Sequence, residues 1–396
     1  MSETPDIAVV GSITAVDPAE WDAVFPGDPE RWAYLNAVEK ARLEGFELFY
    51  VTVRREGRLV AAAPGFLTAY EIDTTVQGPA RIITRAVARA LPFLMRLKLA
   101  CLGSPVTETA ALGVHPDCAG EAQALVAALF GGLAQMARAR GVRLTAVKDI
   151  PRNAETTTSA AMTAGLNPMS SLPTAVLDLT GIASDEAYWS TLSKATRKDM
   201  RRKLRDAGDV TAERVRDLAP HAADVDALYA ATRARADMQF EVLDWHYFQR
   251  VLEALGEDAV VFLYRSGGAV IAFNLLVRRG GVLVDKYFCT DGRGPEHNLY
   301  FVSWFNNVRF ALESGVTRLV AGQGVYEPKL RLGCSLEPTA IWFRHGLAPV
   351  NAVLALLSRH LGVEETDPTL KERPQKVRGE QPGTRPQTES GLKAAA

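Results

Sequence analysis

The sequence predicts an α/β protein made of two similar domains. A chain of 396 residues is too long for one ordinary domain, so two are expected. Its apolar share of 47% and charged share of 23% are typical of a globular protein. Each block of the chain carries helices, then a hairpin or meander, then a helix and a strand. This order is consistent with a duplicated α/β unit.

Composition and charge exclude several classes of protein. Lys plus Arg is 45 and Asp plus Glu is 46, a formal net charge of −1, which argues against a general polyanion binder. The 4 cysteines form no CxxC pair and the 6 histidines no HxxxH spacing, so neither a disulfide framework nor a metal site is expected. No signal-peptide pattern and no membrane-spanning apolar run are present. We expect a cytoplasmic protein, with peripheral attachment to the inner membrane as a further possibility.

The N-terminal domain is predicted to comprise residues 1–165. Its elements, in order, are a helix opening at 28–32, strands at 46–54 and 58–70, a helix at 120–140 and a strand at 142–150. Residues 151–173 are rich in Thr, Ser, Asn and Pro and are predicted to connect the domains.

Residues 81–102 form a strongly apolar segment with basic residues at intervals and Pro92 near its middle. The charges prevent this segment from spanning a membrane. Basic residues beside Leu, Phe and Met suit a helix that lies in the membrane interface next to anionic lipid. A buried helix with a basic rim explains the same pattern, and the sequence leaves both interpretations open.

The C-terminal domain is predicted to comprise residues 166–362. Its elements are a strand at 175–179, helices to about 256, a meander at 259–290, a helix at 299–314, strands at 317–321 and 340–345, and an amphipathic helix at 349–361. The tail 363–396 has almost no large apolar residues and is predicted to be disordered.

The stretch 316–333 is the first candidate site. A short apolar strand runs into Gly322 and Gly324, where the backbone can bend or let a ligand approach closely. A phenol, a carboxylate and an amine follow within four residues: Tyr326, Glu327 and Lys329. An exposed turn before the next strand is the alternative interpretation.

A basic helix is predicted at 193–205. It carries seven cations against Asp199, namely Lys194, Arg197, Lys198, Arg201, Arg202, Lys203 and Arg205. Such a helix can bind the phosphates of CoA, a tRNA acceptor stem or anionic head groups. A solvated helix face is the alternative.

Two further groups of residues lie between these stretches. Gly292 and Gly294 precede a helix N-terminus, a combination that can hold phosphate, and His297 beside them could act as a base. Asp285 and Tyr287 are two residues apart on one strand, so they are predicted to point to the same face. They could line a pocket or face solvent.

These features resemble a known family. The meander with the strand ending DKYF, the Gly/Pro loop, the aromatic-rich helix and the run AGQGxxExKLxxG are similar to the second half of Fem-like proteins of the GNAT acyltransferase superfamily. More narrowly, the chain resembles the bacterial "peptidoglycan biosynthesis/recognition" group. The matching residues are Gly322, Gly324, Glu327, Lys329, Leu330 and Gly333. The resemblance covers roughly residues 175–345 and implies tandem GNAT-like domains, each a mixed α/β (α+β) sheet flanked by helices.

The resemblance also implies a chemistry. An amine attacks a thioester or ester in a cleft of the second domain, which requires a proton acceptor and donors for the oxyanion. Glu327 is predicted for the first role, and Lys329 for the second or for binding the donor phosphate, with Asp285, Tyr287 and His297 as secondary candidates. The predicted donor-binding residues are Lys194, Arg197, Lys198, Arg201, Gly292, Gly294, Gly322, Gly324 and Tyr326.

The choice of substrate follows from the same resemblance. Fem-type enzymes acylate peptidoglycan precursors from aminoacyl-tRNA, and the group includes bacterial ceramide synthases, which use acyl-CoA and a sphingoid base. Segments 81–102 and 349–361 favour a lipid, so acyl-CoA and a long-chain amine are the expected substrates, without a metal. A tRNA-dependent transferase and a non-catalytic membrane- or ligand-binding protein are the competing interpretations.

Overall fold

The computed structural model describes residues 5–71, 96–236, 241–294, 296–358 and 368–372. These residues form 13 strands and 12 helices. The strands are β1 Asp6–Val10, β2 Phe46–Arg55, β3 Arg58–Glu71, β4 Arg96–Leu102, β5 Gly113–Val114, β6 Leu144–Pro151, β7 Asn167–Asp178, β8 Thr211–Val215, β9 Ala259–Ser266, β10 Ala269–Arg279, β11 Val282–Thr290, β12 Arg318–Gly322 and β13 Ser335–His345. The helices are α1 Pro18–Val24, α2 Trp32–Ala41, α3 Ala122–Ala139, α4 Glu155–Thr163, α5 Asp185–Thr191, α6 Lys194–Asp206, α7 Ala222–Arg235, α8 Trp245–Leu255, α9 Leu299–Glu313, α10 Tyr326–Arg331, α11 Ala348–Ser358 and α12 Pro368–Glu372.

The strands form one continuous mixed sheet in the order β1-β2-β3-β4-β6-β13-β7-β12-β11-β10-β9-β8, with β5 beside β3. Among the described pairs, β4 with β6 and β11 with β12 are parallel and the others are antiparallel. Each half therefore consists of an antiparallel meander that ends in one parallel pair. This repetition confirms the predicted mixed α/β fold with two similar units.

The two halves interlock at the centre of the sheet. Strand β7 leaves the first half and pairs with β12, as in Leu177 beside Leu319. Strand β13 returns from the second half and pairs with β6, as in Trp342 beside Val147. The predicted boundary at residues 165/166 falls in the turn between α4 and β7, and it stays a prediction.

The halves also share a hydrophobic core on one face of the sheet. Helix α2 of the first half packs against α8 of the second. The buried hydroxyl groups of Tyr34 and Tyr247 are 2.9 Å apart across this contact. Separate clusters fill the other side of each half, under α3 and α4 in the first and under α5, α6 and α9 in the second.

Turn chemistry explains why the meanders were predictable. Gly280 and Gly281 both have positive φ, 56° and 84°, at the tight turn between β10 and β11. Two successive residues with positive φ favour the type I′ hairpin turn, whose twist matches that of the flanking strands. The predicted hairpin at 46–70 and the meander at 259–290 are confirmed.

Several sequence predictions about the fold are wrong. Residues 151–173 are not simply a connection, because they contain α4 and the first part of β7. Strand β8 lies where only helices were predicted, and 96–102 forms β4 between β3 and β6 rather than the end of an interfacial or buried helix. The remainder of that segment, 81–95, lies outside the described residues.

The C-terminal tail also differs from the prediction. Residues 368–372 form α12 instead of disordered chain, and Leu370 is 1% exposed in the cluster under α9. An apolar side chain that finds a buried site can order a short segment in a polar sequence. In the described part of the chain, every helix is too short or too polar to cross a bilayer.

Candidate active site

The parallel strands β11 and β12 pair over only a short distance. The paired residues run from Val282 to Val284 on β11 and from Arg318 to Val320 on β12, although β11 continues to Thr290. Beyond this point lie Asp285 on one strand and Gly322 on the other. We call this opening, between Asp285 on β11 and residues 321–322 on β12, the β11/β12 fork. It places polar side chains at the carboxyl ends of parallel strands, where α/β proteins bind ligands.

Asp285 lies deep in the fork but keeps part of its surface accessible. Its Oδ1 accepts a hydrogen bond from Asn274 Nδ2 at 2.6 Å, and its Oδ2 accepts one from Asn307 Nδ2 at 3.1 Å. Burial raises the pKa of Asp285 to about 6, against the bond from Asn274 and the attraction of Lys329. A carboxylate with a pKa just below neutral is suited to accept a proton from a substrate.

A β-bulge determines which side chains reach this position. Leu276 pairs with Asp285 and Leu275 with Tyr287, so Lys286 is the extra residue on β11. Asp285 therefore contacts α9, whereas Tyr287 packs edge-to-face on Tyr247 in the core shared with the first half. The prediction that Asp285 and Tyr287 share a face is wrong, because the bulge shifts the alternation by one residue.

Lys329 is the cation of the fork. It is 6% exposed, and its Nζ donates to the carbonyl oxygen of Gly322 at 3.3 Å. Burial lowers the pKa of Lys329, while Asp285 opposes this shift. The structure thus brings together two sequence-predicted residues, Asp285 and Lys329.

Glu327 lies elsewhere. Its side chain is 61% exposed and forms a 3.7 Å ion pair with Arg331 on the same helix, α10. Together with Ser193 and Thr196 it lines a groove of about 400 Å³ between α6 and α10. Glu327 and Lys329 therefore lie on different faces of α10: Lys329 on the buried face and Glu327 on the exposed face.

Tyr326 and its neighbours anchor the loop that follows β12. The Tyr326 hydroxyl is buried and donates to the Pro173 carbonyl at 2.9 Å, and Gln323 Nε2 donates to the Leu172 carbonyl at 2.8 Å. Gly322 has a φ of +72°, which a residue with a side chain adopts only with strain. Tyr326 was predicted to bind the acyl donor. In the structure, its hydrogen bond to Pro173 connects α10 to β7.

The loop before α9 is held largely by its own hydrogen bonds. Asp291 Oδ1 accepts from the Arg293 N–H at 2.9 Å, and the Gly294 carbonyl accepts from the Leu299 N–H at 2.9 Å. Gly292 has a φ of +97°, as a bend there requires. His297 is half-buried. Hydrogen bonds from Ser266 and Gly267 lower the pKa of Asp209, and His297 contributes the smallest part of this shift. The structure does not bring His297 into the fork.

The basic helix is α6, which begins one residue after its cap Ser193. Arg197 donates to the Leu192 carbonyl at 2.6 Å, and so it closes the end of α5. Arg201 lies over the ring of Trp189 at 5.6 Å. Within the described part of the chain, four exposed cations of this helix form no ion pair, namely Lys194, Lys198, Arg201 and Arg205.

Sequence reasoning missed several residues that build the fork. Asn307 and Ser303 come from α9, where a helical pattern gives no indication that they contact β10 and β11. Glu108 comes from the first half, and its Oε1 lies 3.8 Å from Lys286 Nζ. The unusual placement of polar residues on a buried helix face was the only signal for Asn307.

The comparisons with known proteins agree with this geometry. Residues 194–329 match the family model described as an acetyltransferase (GNAT) domain, and this range contains Asp285 and Lys329. No curated protein matches the sequence. Within the second half of the chain, residues 194–329 are therefore similar to an acetyltransferase domain of the GNAT superfamily.

Solved structures extend the similarity to both halves. FemX is 13% identical with a TM-score of 0.57, over 86% of this chain and 98% of FemX. A tandem GNAT protein from the clavulanic acid biosynthesis pathway is 12% identical with a TM-score of 0.52, over 86% of this chain and 99% of that one. L-PGS from Bacillus licheniformis is 12% identical with a TM-score of 0.51, over 87% of this chain and 97% of L-PGS. At these identities the likeness establishes the fold, which is that of a tandem GNAT protein.

Proposed function

We propose that this protein is an N-acyltransferase that moves a long-chain acyl group from acyl-CoA to the amine of a lipid-like acceptor. This is the reaction of the bacterial ceramide synthases that its sequence resembles. The observation that carries the proposal is the Asp285 carboxylate, held by two amide groups in the β11/β12 fork of the matched domain, beside the buried amine of Lys329.

Asp285 is the proton acceptor in the proposed reaction. The acceptor amine arrives as an ammonium ion and loses one proton through Asp285 to water. The neutral nitrogen then forms a bond to the carbonyl carbon of the acyl donor, and the carbon–sulfur bond breaks. The second proton of the nitrogen ends on the sulfur, so the products are an amide and the free thiol of CoA. Glu327 is less well placed for this role, since it is exposed in the α6/α10 groove.

Lys329 stabilises the oxyanion in this proposal. Its ammonium group has three N–H donors, of which one donates to a described residue, the Gly322 carbonyl, at a long 3.3 Å. A donor fixed in a partly dry site stabilises developing negative charge far better than one in water. The CoA phosphates are assigned to the free cations of α6, Lys194 and Lys198, which no described carboxylate neutralises.

A lipid-like acceptor is supported by helix α11. Val353, Leu356 and Leu357 on this helix are exposed large apolar residues. Exposed apolar side chains grouped on one helix suit contact with a membrane surface or with a lipid chain. The support from segment 81–102 is weaker than the sequence indicated, since its last seven residues form β4.

An aminoacyl-tRNA donor is the second candidate, and the unpaired cations of α6 favour it equally. A row of Lys and Arg side chains without partners can contact nucleic-acid phosphates as well as those of CoA. In that case Asp285 and Lys329 keep their roles, and an ester bond of the aminoacyl group breaks instead of a thioester bond.

The test is release of free thiol from a panel of acyl-CoAs, with mass spectrometry of the products. Purified protein is offered sphinganine-type bases, ornithine and peptidoglycan precursors. Thiol release that requires a long-chain CoA and a long-chain base, with an amide product, supports the proposal. No release with any CoA, together with consumption of aminoacyl-tRNA, supports the second candidate instead.

A further inference from the structure

A segment of the first half reaches into the fork of the second. Residues 104–109 lie between β4 and β5, and one of their side chains, Glu108, stands against β12. A Cβ atom added at Gly322 would lie 3.3 Å from Glu108 Oε2, closer than ordinary packing allows. Glycine at position 322 therefore leaves the space that the Glu108 carboxylate occupies.

The backbone of this segment is firmly fixed from both halves. Lys148 Nζ donates to the carbonyls of Ser104 at 3.2 Å and Thr107 at 2.6 Å. From the second half, Lys286 Nζ donates to the Val106 carbonyl at 2.6 Å. Three carbonyls within four residues thus accept hydrogen bonds from buried or half-buried lysines, which fix the backbone that leads to Glu108.

The bulged residue Lys286 is itself committed to other partners. Its Nζ lies 2.5 Å from Glu30 Oε1, and it is 3.8 Å from Glu108, beyond hydrogen-bond distance. Among the described residues, no hydrogen-bond donor reaches the Glu108 carboxylate, although its side chain is only 22% exposed. A half-buried carboxylate that accepts no hydrogen bond can receive one from a donor on a ligand.

A second group beside Asp285 also lacks a hydrogen-bond donor. Asn307 is 1% exposed, and its Nδ2 donates to Asp285 Oδ2. Its Oδ1 is buried and has no hydrogen-bond partner among the described residues. The groups next to Asp285 thus include an amide oxygen and a carboxylate that accept no hydrogen bond from the described residues, although both can accept one and neither can donate one.

We propose that Glu108 binds the ammonium group of the acceptor, and that the acceptor is therefore a primary alkylamine which enters the fork as a cation. This inference rests on the proposed function. Glu108 fixes the ammonium by charge-assisted hydrogen bonds, and the Asn307 oxygen accepts a further N–H. The nitrogen is then next to Asp285, the group that takes its proton. An alcohol of the same length has one O–H donor and no charge, so the fork discriminates against it.

The test measures binding without an acyl donor. Hexylammonium and 1-hexanol are titrated into the full chain by ligand-observed NMR at about pH 7.5, where an alkylamine is almost entirely protonated. The wild type is expected to bind hexylammonium more tightly than hexanol. Glu108→Gln, which keeps the shape of the side chain, is expected to weaken hexylammonium binding by about tenfold and to leave hexanol unchanged.

A control variant separates binding from folding. Glu44→Gln changes an exposed glutamate of the same half and is expected to bind as the wild type does. A purely structural Glu108 would change thermal stability, or the binding of both ligands alike.

The inference is overturned if the wild type does not bind hexylammonium, or if Glu108→Gln binds it as tightly as the wild type. It is distinguishable from the proposed function, because it does not depend on turnover. Glu108-dependent ammonium binding without thiol release from any acyl-CoA would remove the acyl-CoA reaction and leave the inference standing. If the Glu108→Gln variant releases thiol and forms the amide as the wild type does, the acyl-CoA reaction stands and the inference about Glu108 is removed.

Discussion

Replacing Asp285 by asparagine is expected to make the protein more stable and far less active. The carboxyl group has an ordinary pKa of 3.8 and a pKa of about 6 in the fork. Because the folded-state pKa is raised, the folded protein favours the protonated form. The cost in stability is therefore absent below about pH 4, grows as the pH rises to about 6, and is complete above that pH.

The size of the effect follows from the pKa shift. A difference of about two pKa units corresponds to about 3 kcal/mol, and the accessible part of Asp285 reduces the expected value to about 1–2 kcal/mol. Asparagine also fits the site. Its oxygen can accept from Asn274 Nδ2, and its NH₂ group can donate to Asn307 once that amide turns its unpartnered oxygen inward.

The assay is denaturant unfolding of the wild type and Asp285→Asn at about pH 4 and about pH 8. The variant is expected to gain about 1–2 kcal/mol at the higher pH and almost nothing at the lower. Asp224→Asn, an exposed position in the first turn of α7, serves as the control and should change stability by less than about 0.5 kcal/mol at either pH. A variant that is destabilised by the same amount at both pH values would refute this reasoning about Asp285.

The remaining predictions concern buried side chains that form hydrogen bonds. Lys329→Met should reduce turnover by about 100-fold while the acyl donor still binds, which single-turnover and binding measurements separate. Lys286→Met should lower the free energy of unfolding by about 3 kcal/mol, because Glu30 and the Val106 carbonyl lose their shared donor. Tyr326→Phe should lower it by about 1 kcal/mol, because the Pro173 carbonyl loses its partner. Acyl transfer by the wild type should rise with pH up to about 6 and then level off, as it must if the proton acceptor has to be ionised.

The local elements of the fold were predictable because their signals are local. The tight turns are marked by Gly57 after Glu56 and by the glycine pairs of the second meander. Helices α3 and α9 are marked by the periodic spacing of their apolar residues. The pairing of β13 between β6 and β7 was not predictable, because it joins segments far apart in the chain. No local pattern states which distant strand a given strand will contact.

The candidate site was predictable only in part, for a related reason. Asp285 and Lys329 were named as candidates because titratable groups follow or interrupt apolar strands. The bulge at Lys286 leaves no mark in the sequence, and so Tyr287 was assigned to the wrong face. Glu108 contributes to the fork through the packing of one half on the other, which a reading of either half alone cannot reveal.

The most direct test of the central claim compares three proteins in the thiol-release assay with a long-chain acyl-CoA and a long-chain amine. The wild type should release thiol and form the amide, Asp285→Asn should be slower by at least about 100-fold, and Glu327→Ala should stay within about threefold of the wild type. The opposite ranking, with Asp285→Asn active and Glu327→Ala inactive, would move the chemistry from the β11/β12 fork to the α6/α10 groove and contradict the account given above.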